Sequence, residues 1–390
     1  MFEKRNVICI FSIIVILHAS RLFSQPKDTI PQKVVRYCYV IKPKEWYQNQ
    51  EKLWKQELSK NPRNEDAWYN YFFAARYGWT DVKGRTLTRE TLMDSIYQEM
   101  GKAIPDSWVY HYIHYYNYAT DFSRLEKAYE INPRIPDLYW EFIKEYALKR
   151  QDEKKRTFCK KLYESQDIST GIYNLNYNML NSTSRNAILF TNGDTDTYPA
   201  WVLQDAKGVR TDVLILTMHG TFFNRDYLKS LLADRGIDLD VDQLSKSDVA
   251  LYFEGLVNLL RVHYPDVPIH VALSVYAPYY ESFKDKWHIT GFALTYSEDP
   301  FDSDERNREI IENDLRLDYL NYDWYADLHV SEPFVRRLNV MYVEPFIKLA
   351  KYYHFRGNAE SATKWKNKAL TLAQKADHDD WIQKIKAMTW

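Results

Sequence analysis

Glycine is scarce, 11 residues in 390, which excludes a glycine-rich fibre or linker architecture. Cysteine is scarcer still, three in all, and neither Cys38 nor Cys159 has a second Cys or a His at metal-ligand spacing. A surplus of one charge sign is missing as well. Lys and Arg number 52 against 53 Asp and Glu, so nucleic acid finds no electrostatic footprint. Past the first two dozen residues, no apolar run approaches the roughly 20 residues that span a bilayer. A Gly-rich phosphate loop, a Gly-x-Ser-x-Gly elbow and a His-Glu-x-x-His pair are also lacking. What is abundant is aromatic: 32 Tyr, 18 Phe and 12 Trp make 16% of the chain. With 45% hydrophobic and 27% charged residues, the composition excludes wholesale disorder and supports a sizeable core in two or more domains.

Residues 1–24 read as an export signal: Lys4 and Arg5 form a positive start, Val7 to Ala19 is apolar, and Ser24 precedes Gln25-Pro26. Taking Lys4, Arg5 and Arg21 from the 52 basic residues and Glu3 from the 53 acidic ones leaves 49 against 52 in a mature chain with no transmembrane segment. The expected location is exported, periplasmic or envelope-associated. An oxidising compartment permits Cys38 and Cys159 to pair. They are 121 positions apart with nothing local to join them, and two separate buried thiols are the alternative.

From about 44 to 165 apolar residues recur at three and four, as in Trp46, Leu53, Trp54, Leu58 and in Ala67, Tyr71, Ala74, Ala75. Asn61-Pro62 and Asn132-Pro133 punctuate this helical pattern, each followed by an acidic residue, Asp66 or Asp137, and then by aromatics. The two junctions lie 71 residues apart, close to twice a 34-residue period. With the run Leu125–Pro133 and the small residues Gly357, Ala362 and Ala369 near the C-terminus, these segments resemble tetratricopeptide repeats. The stretch 78–105, with Gly78, Gly84, Gly101 and Pro105, breaks the period. The tyrosines of Trp108–Tyr118 are expected as core and groove wall of a helical stack, with a peptide- or glycan-contacting surface as the alternative.

At 187 the texture changes. Ala187–Thr191 and Thr211–Thr217 are continuous apolar runs joined through a helix-like stretch that stops at Gly208, the pattern of a parallel βαβ unit. Ile269–Val275 and Ile289–Thr295 supply two more candidate strands, with helical segments near 225–234, 246–263, 279–285 and 304–320. The expected fold is mixed α and α/β. Tetratricopeptide-like helical hairpins occupy 25–180, a central parallel α/β layer 185–325, and a C-terminal helical hairpin 333–390.

The block Asn192–Trp201, with Gly208–Val213, His270–Val275 and Gly291–Tyr296, resembles the soluble C-terminal part of an uncharacterised bacterial membrane-protein family. The membrane portion of that family is distantly like protein O-mannosyltransferases. The resemblance covers roughly 185–372, and this chain lacks the multi-pass portion where glycosyl transfer would occur. It implies an envelope context and carries no catalytic residue over.

In an open parallel sheet, ligands bind at the C-terminal strand ends. Asn192, Asp194, Asp196 and Thr197 follow the first strand, and His219 follows the second. Neighbouring strands would bring Asp194, Asp196 and His219 to one rim as candidate ligands for a divalent cation or as an acid/base pair. The alternative is a helix cap at Asp194 or Thr195 with Asp196 in the first turn. The acidic run from Glu298 to Glu305 reads as a solvated helix start. Without a complete catalytic set, the leading expectation is a cell-envelope binding or scaffold protein that engages a protein or glycan partner through its helical surfaces. The alternative is a metal-assisted envelope hydrolase of a glycan or phosphoester, centred on Asp194.

Overall fold

The computed structural model describes residues 29–36, 38–79, 88–118, 121–321 and 329–390. The predicted export signal at 1–24 and Gly84 lie outside the described residues. The chain divides between Phe142 and Ile143 into two compact units.

The first unit is helical: α1 (Lys44–Lys60), α2 (Glu65–Gly78), α3 (Arg89–Ala103), α4 (Trp108–Tyr118), α5 (Phe122–Ile131) and the start of α6 (Pro136–Leu148). The two Asn-Pro junctions close in the same way. Asn61 and Asn132 end their helices with nearly identical backbone angles, φ −140° and −138°, ψ 91° and 90°. Each side-chain oxygen accepts from the backbone two residues on, Arg63 at 3.1 Å and Arg134 at 3.3 Å, as Asn does in a tight turn. Six residues past each proline an aromatic ring donates back to its carbonyl, Trp68 Nε1 to Pro62 at 2.8 Å and Tyr139 Oη to Pro133 at 2.7 Å. Asn64 then caps α2 through the Ala67 N–H, and Asp66 and Asp137 lie in first turns, where the helix dipole favours a carboxylate. Phe72, Met93, Tyr112 and Trp140 fill the core.

The second unit continues with α7 (Asp152–Ser165) and α8 (Thr170–Asn181), then β1 (Ile188–Thr191), α9 (Tyr198–Lys207), β2 (Leu214–Thr217), α10 (Met218–Phe223), α11 (Arg225–Ala233), α12 (Val249–His263) and β3 (Ile269–Ala272). After these come β4 (Trp287–Thr290), β5 (Ala293–Tyr296), α13 (Ser303–Asn313), α14 (Glu332–Leu338), α15 (Val343–Phe355), α16 (Ala359–Lys375) and α17 (Asp379–Lys386). The five strands form one sheet in the order β2-β1-β3-β5-β4. β1 is parallel to β2 and to β3, in register Ile188↔Leu214 and Ile188↔Ile269.

The expected parallel layer is therefore correct for three strands and needs correction for the rest: β5 runs antiparallel to β3 and to β4. The predicted strand Ile289–Thr295 is in fact a hairpin that turns at Gly291-Phe292. Gly291 has φ +64°, and a Cβ there would meet Ile310 Cγ2 at 2.3 Å and Ser182 Oγ at 2.5 Å, so only glycine permits the reversal. Asn307 and Ser182 hold the turn by accepting its two backbone N–H groups at 2.9 and 2.7 Å.

The predicted C-terminal hairpin is α15–α16. It turns at Gly357 (φ +75°), and Asn358 caps the second helix through Ser361 N at 3.0 Å. Asp302 caps α13 through the Glu305 N–H, so the acidic run is a helix start. Cys38 and Cys159 are both buried and are not joined to each other.

Candidate ligand sites at the sheet rim and on α4

The order β2-β1-β3 has a consequence for the rim. From β1 the chain crosses through α9 to β2 on one side, and from β2 it returns past β1 to β3 on the other. The order reverses between β1 and β3, and open α/β sheets hold ligands at that reversal, beyond the carboxyl ends of the strands. Asp196 and Ser274, from the loops after β1 and β3, meet there: Ser274 Oγ donates to Asp196 Oδ2 at 2.5 Å.

Asp196 is 5% exposed and organises the loop that carries it. Its Oδ2 also accepts from the backbone of Asn192, and its Oδ1 accepts from Gly193, both at 2.7 Å. Burial raises its pKa, and the hydrogen bonds from Ser274, Asn192 and Gly193 pull against that shift. Thr197 closes the loop through Thr191, Oγ1 to Oγ1 at 2.7 Å. Thr197 precedes α9 and makes no side-chain cap bond, so the expected cap at Asp194 or Thr195 is replaced by the inward-folded Asp196 carboxylate. Asn192 and Asp194 are half-buried in the same turn.

His219 goes elsewhere. It is half-buried at the start of α10, stacked on Phe223 at 6.2 Å and edge-on to Tyr279 at 6.1 Å, and burial lowers its pKa. Among the described residues no three His, Cys, Asp or Glu side chains are placed to hold a metal ion. The expected grouping of Asp194, Asp196 and His219 around a divalent cation is thus not formed. Both Asp196 oxygens already accept hydrogen bonds, from Asn192, Gly193 and Ser274, and the imidazole packs among rings.

Sequence reasoning missed the residues beside Asp196. A small cavity of about 20 Å³, space for roughly one water, is lined by Leu175, Asn176, Met179, Asp196, Ser274 and Phe292 among others. Asn176 is 2% exposed on α8 and donates its amide hydrogens to the carbonyls of Ile172 and Thr195, each at 2.9 Å. Its Oδ1 is buried with no hydrogen-bond partner. The available signal was a polar residue inside an apolar helical face, between Ile172, Leu175 and Met179. Ser274 was read as strand interior, whereas β3 ends two residues before it.

In the first unit, the ladder on α4 divides by helical period. Trp108, Tyr112 and Tyr115 are buried core, while Tyr110, His111, His114, Asn117 and Tyr118 form a half-exposed ridge. Gly101 lets the Tyr110 ring lie against α3, since a Cβ there would stand 2.9 Å from it, and Tyr110 stacks on Tyr97 at 4.8 Å and 4°. Asp94 accepts from Tyr118 Oη at 2.8 Å and from Asn117 Nδ2 at 3.2 Å, while Arg124 meets His111 Nδ1 at 3.0 Å. Burial lowers the pKa of His111 and His114, with Arg124 adding to the shift, so both stay neutral near pH 7. Burial, then the bond to Asp94, raises Tyr118 to about 12.

The family model of TMEM260-associated domain 2 matches residues 172–231, a segment that includes Asn176, Asp194, Asp196 and His219. A comparison with curated proteins returns no match. No helix among the described residues is long and apolar enough to cross a membrane.

Proposed function

We propose that this chain is an exported binding protein of the cell envelope that engages a glycan through the ridge on α4 and performs no chemical step of its own. The observation that carries the reading is the composition of the ridge. Aromatic faces, Tyr110 and Tyr118, alternate with planar polar groups, Asn117, Asp94, His111 and Arg124, which neighbours already hold in place. A sugar ring offers an apolar face to stack on an aromatic ring and hydroxyls to pair with such groups. The matched junctions at Asn61 and Asn132 support the likeness to tetratricopeptide repeats, whose hairpins present extended binding surfaces. The match to a domain associated with TMEM260 and the resemblance to the soluble part of a mannosyltransferase-like membrane family support the envelope setting.

The test uses the purified full chain with N-acetylglucosamine oligomers, cellobiose and maltose, read by isothermal titration. At least one saccharide is expected to bind, and the double variant Tyr110→Ala, Tyr118→Ala is expected to weaken it about tenfold, the order expected for lost ring stacking. Binding to a protein partner alone would replace the glycan. Metal-dependent turnover of aryl glycosides or phosphate esters would establish the hydrolase alternative instead.

A further inference from the structure

The cavity between the β1 and β3 ends has a polar floor made of acceptors. Asn176 spends both amide hydrogens on the Ile172 and Thr195 carbonyls, which fixes which end of the amide is oxygen. That oxygen is buried without a donor. A buried carbonyl left without a donor is costly, so the arrangement calls for an incoming hydrogen. Ser274 gives its single hydroxyl hydrogen to Asp196 and keeps only lone pairs for anything else. Asp196 is a buried carboxylate whose hydrogen-bond partners are two backbone amides and two hydroxyls, with no Lys or Arg among them. The rest of the lining is mainly apolar, with Leu175, Met179, Phe292 and Met341 in it.

We propose that this cavity takes a small ligand by its primary ammonium group, with an apolar body lying along the Met179–Met341 side. Three features of the site select that group. An ammonium brings donors and no acceptor, matching Asn176 Oδ1 and the remaining lone pairs of Ser274 Oγ. It brings a positive charge to a buried carboxylate that has no basic partner, and a charged pair of this kind is stronger out of water. Its head is about the size of the one water that the ≈ 20 Å³ space admits. A hydroxyl supplies one donor and no charge, and leaves the Asp196 carboxylate without a cation beside it. Asn176 Oδ1 is itself shielded from solvent, so the ligand enters as the lining methionines, unbranched and soft, swing aside. The inference is independent of the α4 ridge and stands or falls separately from it.

The test takes the purified full chain labelled with ¹⁵N and titrates it with n-propylammonium chloride, with 1-propanol, and with sodium, potassium and ammonium chlorides at matched ionic strength. The expected result is saturable binding of propylammonium alone, with shifts at the Asn176 side-chain amide and at the Asn192 and Gly193 backbone amides. Asn176→Ala is expected to weaken it about tenfold, and Ser274→Ala less. Should Asn176→Ala fail to fold, the contrast between propylammonium and propanol on the unaltered chain still decides. Equal binding of propanol would overturn the charged group, and equal binding of an inorganic cation would overturn the organic ligand. No shift with any probe would leave the cavity as the seat of a structural water and overturn the proposal.

Discussion

The two compact units join their helices and strands by contacts of different reach along the chain. In the first, the defining contacts are local: Trp68 and Tyr139 each bond a carbonyl six residues back, and Asn64 caps three residues ahead. In the second, β1 pairs with a strand about eighty positions on, Ser274 reaches Asp196 across 78 residues, and Asn178 donates to Tyr342 Oη across 164. Local closure yields hairpins and a surface ridge, and a few longer contacts, Tyr39 against Trp140 and Arg36 with Glu141, bind the N-terminal segment to them. Distant closure yields a buried rim, where groups far apart in sequence are desolvated together and their hydrogen bonds must be met from inside.

The sharpest way to break this comparison is at the centre of the sheet. Phe190 on β1 is fully buried and edge-on to Phe253 at 4.9 Å. Phe190→Ala is expected to cost about 3–5 kcal/mol, the usual loss for an aromatic removed from a packed core, measured by urea unfolding. A loss below about 1 kcal/mol would show that β1 is not the strand on which the second unit is assembled.

Acid gives the next largest effect. His270 on β3 accepts from Ser184 N–H at Nε2, 3.1 Å, so Nδ1 carries the hydrogen and donates to Thr295 Oγ1 at 3.1 Å. Complete burial, with Arg210 and Arg306 adding to it, lowers the His270 pKa to about 3. The unfolded chain, with an ordinary His near 6.5, binds the proton first. The stabilisation is therefore whole above pH 6.5 and is lost as pH falls toward 3, by about 1.4 kcal/mol per pH unit. From pH 7 to pH 4 this single residue should remove about 3 kcal/mol from the second unit. Denaturation midpoints across that range, alone and in His270→Gln, measure it. An unchanged acid slope in the variant would assign the loss to other groups.

The smallest effect belongs to the local unit. Asn64→Ala removes the cap on α2 and is expected to cost about 1 kcal/mol, seen as a small shift in the thermal midpoint. A cost several times larger would mean that the first unit, too, depends on interactions far from the cap.

Much of this was legible in the residues. The Asn-Pro junctions, the glycine at 208 and the Gly357-Asn358 turn mark the ends of elements where the structure ends them, since punctuation by Pro, Gly and Asn acts within a few residues. The parallel βαβ start at Ile188 was legible for the same reason, in two apolar runs around one helix. The hairpin at Gly291 was not. The run Ile289–Thr295 reads as one strand straight through it, and the cause of the reversal, Ser182 and Ile310 crowding the glycine, comes from distant parts of the chain. At the candidate site Asp196 was named, but its role was not. Asn176 went unread because a buried Asn in a helix looks like any core position until its neighbours are known.

By itself the amino-acid order determined where most helices and the first two strands run and that an acidic loop follows the first strand, because periodicity and capping depend on residues within one or two turns. Only the tertiary structure decided that Asn176, Asp196 and Ser274 share a cavity while His219 stays among aromatic rings. Strand order and direction follow from which buried faces meet across dozens of residues, and no local pattern encodes that meeting.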